Sequence, residues 1–193
     1  MSVAEDFYED AKKHPNYSRE QDELMVRLAK EYRAALPLLE RPPQFSLRLD
    51  IFDSKEAMVA VTERNGHTVI GYAKSMVNHK DCRLYTGTEI FDFIPATVME
   101  VTGRDSVKTP ELYEAQKRFG FIVAPHSSAF AIRLTYTDQP MDEWISVLSE
   151  PIPDSRGFLV VFDVERDSRG SCVSTGCASP GNVWNGAYRL FLC

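Results

Sequence analysis

The amino-acid sequence predicts an α+β fold. It calls for a mainly antiparallel sheet of about six strands flanked by two to four helices, with an N-terminal helical segment over 1–40 and the α+β domain over 41–193. Three observations carry this. At Phe45 the apolar period becomes two, as Phe45, Leu47, Leu49 and Ile51 alternate with Ser46, Arg48 and Asp50. Two alternating runs, 57–62 and 68–73, flank Asn65-Gly66, the preferred centre of a two-residue hairpin turn because both positions tolerate positive φ. The largely apolar run 158–164 fits a central strand buried on both faces.

Residues 4–13 read as a short helix ended by His14-Pro15. Ser18 and Gln21 form a capping box for a second helix, whose apolar stripe is Leu24, Leu28, Tyr32 and Leu36. Pro37 disfavours helical geometry at Leu36 and is expected to stop the helix there. The stripe packs on the sheet or offers a route to self-association. Asp53 to Glu56 reads as a turn into the hairpin, whose register sets Val61 opposite Ile70 and Val59 opposite Tyr72. Residues 84–94 carry strand-like aromatics interrupted by Gly87, with Pro95 just beyond, and 96–101 read as a strand. Thr109-Pro110-Glu111 is a helix start, with Thr109 as N-cap, Pro110 at the first helical position and an acid in the first turn, and Gly120 is the stop. Phe130, Ile132, Leu134 and Tyr136 alternate as a strand, Pro140 opens a helix bearing Trp144, Ile145 and Leu148, and 188–193 form a last strand. Between them, 166–186 is rich in Gly and Ser and reads as a long irregular loop, the kind of segment that carries binding or lid functions.

At 193 residues the chain buries a sizeable core without needing a disulfide or a metal. Its net charge of −6 argues against a nucleic-acid binder, because phosphate neutralisation demands a surplus of Lys and Arg. No run approaches the roughly 18 apolar residues of a membrane span. The acidic N-terminus has no apolar signal-peptide core, so a cytoplasmic protein with reduced Cys82, Cys172, Cys177 and Cys193 is expected.

The chemistry-bearing residues form no recognised motif. His79, Cys82, Cys172 and Cys177 supply the ligand types of a Cys₃His metal site, but neither pair has the tight CxxC spacing, and no metal is expected. A Cys172–Cys177 disulfide is the oxidised alternative. His126-Ser127-Ser128 brings an imidazole and hydroxyls together, without a G-x-S-x-G elbow. Asp163 is the most unusual carboxylate. In an apolar strand it is costly unless paired, so it reads as a functional acid with a raised pKa or as the partner of Arg133 or Arg189. Gly103 to Thr109 precede a helix N-terminus, making Arg104, Lys108 and Thr109 candidate anion-binding residues. The order of hairpin, strand, loop and helix over 57–124 resembles the acyl-CoA-binding core of the GNAT N-acetyltransferases. Of that family's Q/R-x-x-G-x-G/A phosphate loop only Gly103 is present, and the two N-terminal helices precede the first strand where the family places them after it. The resemblance implies acyl-CoA phosphates near 103–111.

The leading expectation is a non-enzymatic module, a small acidic regulator or inhibitor that docks on another protein and needs no cofactor. Its contact groups are Arg166, Arg169, Trp184 and Asn185 on the long loop, since Trp and Arg most often anchor interfaces. Trp184 reads equally as a plug that holds the loop down. The alternatives are an acyltransferase-like enzyme and a structural subunit of a larger assembly.

Overall fold

The computed structural model describes Lys13 and residues 18–193, with the side chains of 27–35 left out. The helix expected over 4–13 lies outside the described residues. Within them the chain is α+β, built on an eight-stranded mixed sheet rather than an antiparallel one of six.

Helix α1 (Arg19–Leu39) begins at the expected capping box, with Ser18 accepting from the Gln21 amide and the Gln21 side chain from the Ser18 amide. It runs through Pro37 to Leu39, so the expected stop at Leu36 is corrected. Leu38 is buried against the core and holds this last turn in place. Strand β1 (Phe45–Arg48) follows.

The expected hairpin is not there. Residues on both sides of Asn65-Gly66 are helical, in α2 (Lys55–Arg64) and α3 (Gly71–Asn78), with only the two-residue β2 (Thr68–Val69) between them. Ser54 caps α2 by accepting from the Ala57 amide, and Gly66, at φ +84°, follows the helix end in the left-handed conformation that ends helices. Asn-Gly serves a helix C-terminus as well as a hairpin, since both demand positive φ. The likeness to the acetyltransferase core loses its hairpin with this correction.

Strand β3 (Ile90–Thr97) passes into the short helix α4 (Val98–Thr102), where a strand over 96–101 was expected. A Thr97/Glu100 capping box makes the switch. Strand β4 (Ser106–Lys108) and helix α5 (Thr109–Arg118) come next; the helix is where it was expected but starts one residue earlier, with Lys108 rather than Thr109 as N-cap, because the Thr109 hydroxyl is engaged by Trp184 and Ser179. Residues expected as a strand form α6 (Ser128–Thr135), and those expected as a helix form β5 (Glu143–Val147). In Ala129-Phe130-Ala131-Ile132 every position is buried, so the period-two pattern carries no information about faces.

The chain ends in β6 (Ile152–Pro153), β7 (Leu159–Asp167), β8 (Gly170–Cys177), β9 (Val183–Asn185) and β10 (Arg189–Leu192). The expected loop at 166–186 is therefore mostly strand. β7 and β8 pair antiparallel from Val160–Cys177 to Asp167–Gly170, and β9 pairs with β4. Sheet order is β1-β3-β10-β5-β7-β8-β2, with β6 beside β7; β10–β5 and β8–β2 are parallel and the other pairs antiparallel.

Alternation sorts the side chains onto two faces. One face carries Ile145, Val147, Phe162, Val164, Val173 and Phe191, packed under Met58 of α2, Met76 of α3 and Phe130 and Ile132 of α6. The other carries Ala96, Leu148, Val161, Leu190 and Leu192, covered by Leu38, by Val98 and Val101 of α4, by Leu112 of α5 and by Trp184 of β9. On this second face the apolar cover stops at β5 and β7.

Candidate functional site

Where the apolar cover stops, strand pairing brings polar groups together. Ser146 of β5 lies opposite Asp163 of β7, which lies opposite Ser174 of β8. One step along, Trp144 faces Glu165, and Glu165 faces Cys172. Asp163 and Glu165 are two apart in one strand and share this face. Tyr188, just before β10, completes the group, its ring centroid 6.5 Å from that of Trp144 and 5.4 Å from that of Trp184.

Asp163 is the centre. It is wholly inaccessible to solvent, and its Oδ2 accepts a 2.7 Å hydrogen bond from the Trp144 indole Nε1. Its Oδ1 has no hydrogen-bond partner of ordinary geometry, and neither has the buried Ser146 hydroxyl. Neither arginine suggested by the sequence pairs with it. Arg133 donates to Gln139 and to the Tyr136 and Glu165 carbonyls, and Arg189 pairs with Glu143. Burial therefore dominates and pushes the carboxyl up to about 7; the nearby Ser146 hydroxyl and Trp144 N–H pull it down, and Glu165 adds to the rise. Gly176 leaves the room: a Cβ there would stand 2.7 Å from Asp163 Oδ2.

The rim is accessible. Trp144 is 47% exposed although its N–H is tied down, and Tyr188 and Glu165 are half-buried. Ser174 donates to Glu165 Oε1, while Cys172 Sγ lies 3.8 Å from Oε2. Burial pushes the Tyr188 phenol above its usual range, with Asp163 and Glu165 adding to the rise. Burial, then Glu165, pushes the Cys172 thiol up to about 12, so it is no nucleophile at neutral pH.

The residues singled out from the sequence are placed differently. Arg104 pairs with Glu111 at 2.7 Å, and the Lys108 amide donates to the same carboxylate at 2.9 Å. The helix N-terminus proposed for an anion thus already holds one of the chain's own. The adjoining groove, of about 240 Å³, is lined by Glu100, Glu111 and Glu114 as well as Arg104 and Arg118. Thr109 is buried, accepting from the Trp184 indole at 2.9 Å and donating to the Ser179 carbonyl. Trp184 is 2% exposed and acts as the plug. Asn185 is exposed on β9 and accepts from the Ala187 amide. Arg166 donates to the Gln139 carbonyl, and Arg169 binds Asp167 at the β7–β8 turn. Arg166 and Arg169 sit at the turn end of the β7–β8 hairpin, while Trp184 and Asn185 lie on β9. On α1, Leu24 is exposed and Leu36 half-buried, while the side chains of Leu28 and Tyr32 lie outside the described residues.

His126 accepts at Nδ1 from the Arg83 amide (3.3 Å) and lies 3.0 Å by Nε2 from the Glu150 carbonyl, which leaves neither nitrogen to activate Ser127 or Ser128. Among the described residues no three His, Cys, Asp or Glu side chains stand where they could hold a metal ion. Cys172 and Cys177, an odd number apart in β8, point to opposite faces, which rules out their disulfide. Among the described residues no helix is long and apolar enough to cross a membrane.

Asp163 was readable as an oddity in the sequence. Trp144, Ser146 and Tyr188 were not, because only long-range strand pairing brings them to it. Comparisons with protein-family models, with curated proteins and with solved structures return no match.

Proposed function

We propose that this chain is a non-enzymatic interaction module, a regulator or inhibitor that docks on another protein through the Trp144–Tyr188 rim. One observation carries the reading: Trp144 is about half exposed, yet its indole is fixed at Nε1 by the buried Asp163. A large aromatic held in one orientation loses little entropy on binding, and Trp is the residue type most enriched among interface anchors. The net charge of −6 favours a basic partner face. The test is photo-cross-linking from position 141, whose Met is 57% exposed and three residues before Trp144, in cells that make the protein. The expected result is one stoichiometric protein adduct that Trp144→Ala abolishes while circular dichroism is unchanged. An adduct indifferent to Trp144, or none, overturns the reading.

A second reading, an enzyme, is favoured by Asp163 itself. A carboxyl that titrates near neutrality beside a second carboxyl suits general acid catalysis. It requires a turnover lost in both Asp163→Asn and Glu165→Gln. The acyl-CoA form of that reading draws no support from the groove at 103–111, where Glu111 already takes the donors.

A further inference from the structure

Resting on the docking rim just described, we infer that the Trp144–Tyr188 rim recognises an alkylammonium group, namely a lysine side chain, free or N-methylated, of the partner protein. The ring centroids are 6.5 Å apart and the planes 62° from parallel, so a cation seated at their mouth meets both π-faces within the roughly 6 Å over which such attraction acts. Beneath them lie acceptors in want of a donor. Glu165, opposite Trp144, has Oε1 bound by Ser174 but only the Cys172 thiol near Oε2. Asp163 Oδ1 is unpartnered and fully buried on the same face. The basic side chains nearest by are engaged elsewhere: Arg169 with Asp167, Arg166 with the Gln139 carbonyl, Arg133 with Gln139 and two carbonyls, Arg189 with Glu143. Among the described residues the rim thus presents aromatic faces and the Glu165 carboxylate, to which no basic side chain is hydrogen-bonded; Arg169 feels its charge but is held by Asp167. A compact ammonium suits the wedge between two inclined rings better than a flat guanidinium, which stacks on one open face.

The experiment titrates the full chain with Nα-acetyl-lysine methylamide, its trimethylated form, and the arginine and norleucine analogues, following the Trp144 indole N–H resonance. The lysine forms are expected to shift it saturably, with Kd on the order of millimolar. The arginine analogue should bind at least about fivefold more weakly, a modest fraction of what a cation–π contact is worth, and norleucine not at all. Glu165→Gln should weaken the lysine forms about tenfold, as expected for losing a partly desolvated charge partner, and Tyr188→Ala, which removes one of the two aromatic faces, should weaken them as well. A norleucine shift equal to that of lysine, no saturable shift with lysine, or binding untouched by Glu165→Gln and Tyr188→Ala overturns the inference. Should the cross-linked partner survive such a result, docking stands and only the cation falls. Should lysine bind while no partner cross-links, the reverse holds.

Discussion

The two faces of the central sheet solve the same problem differently. The face under α2, α3 and α6 is filled by Val147, Phe162, Val164 and Phe191 and is dry. The opposite face begins the same way, with Leu190, Leu192 and Val161 under α4 and α5, and then changes to Ser146, Asp163, Ser174 and Glu165. Within β7 the contrast falls between neighbours, since Phe162 points to one face and Asp163 to the other. A strand buried on both sides need not be apolar on both. The polar side is held by an indole N–H and by the space at Gly176, and it gives up stability that the dry side supplies.

Phe162→Ala should have the largest effect, lowering stability by about 3–5 kcal/mol in urea unfolding, because the packed face cannot collapse onto the cavity. A loss under about 1 kcal/mol would erase the contrast between the faces. Asp163→Asn should act in the opposite sense and with pH. The folded-state carboxyl sits near 7, above its usual value near 4, so its destabilising charge is absent below about pH 4, grows through that window and is complete above about pH 7. The stability of the variant relative to the parent should therefore rise across pH 4–7, by at most about 4 kcal/mol. A flat difference would mean that Asp163 is already paired. Glu165 and Tyr188 face the same carboxyl, so the profile should be repeated in Glu165→Gln to separate their contributions.

Gly176→Ala comes next, at about 1–3 kcal/mol, since the new Cβ meets a carboxylate that Trp144 holds in place. In Asp163→Ala the cost should largely vanish, a double-mutant test of that contact. Trp144→Phe should be smallest, about 1–2 kcal/mol, and should raise the Asp163 titration further by removing the indole N–H that its Oδ2 accepts from.

Elements whose signal is local were legible in the sequence. The Ser18 capping box, the Thr109-Pro110-Glu111 start and the doubly buried β7 are set by neighbours along the chain. Asn65-Gly66 is ambiguous because one positive-φ signal serves two structures, and the Ser54 cap is what separates them. β8 reads as loop in the sequence because it is rich in Gly, Ser, Cys and Thr, and Gly176, at least, is small because Asp163 fills the space opposite. Of the candidate site, Asp163 stood out alone. The local pattern places Trp144 in a helix and Tyr188 in a strand, with nothing to link either to Asp163.

Strand β10 lies between β3 and β5, with one antiparallel and one parallel neighbour. Until residues 189–192 leave the ribosome, β3 and β5 have nothing to join them, and the sheet waits as two halves with raw edges. Nascent chains of this protein should thus depend on holdase chaperones until synthesis passes Leu192, and a premature stop just before Arg189 should leave material that is cleared rather than a shortened working protein.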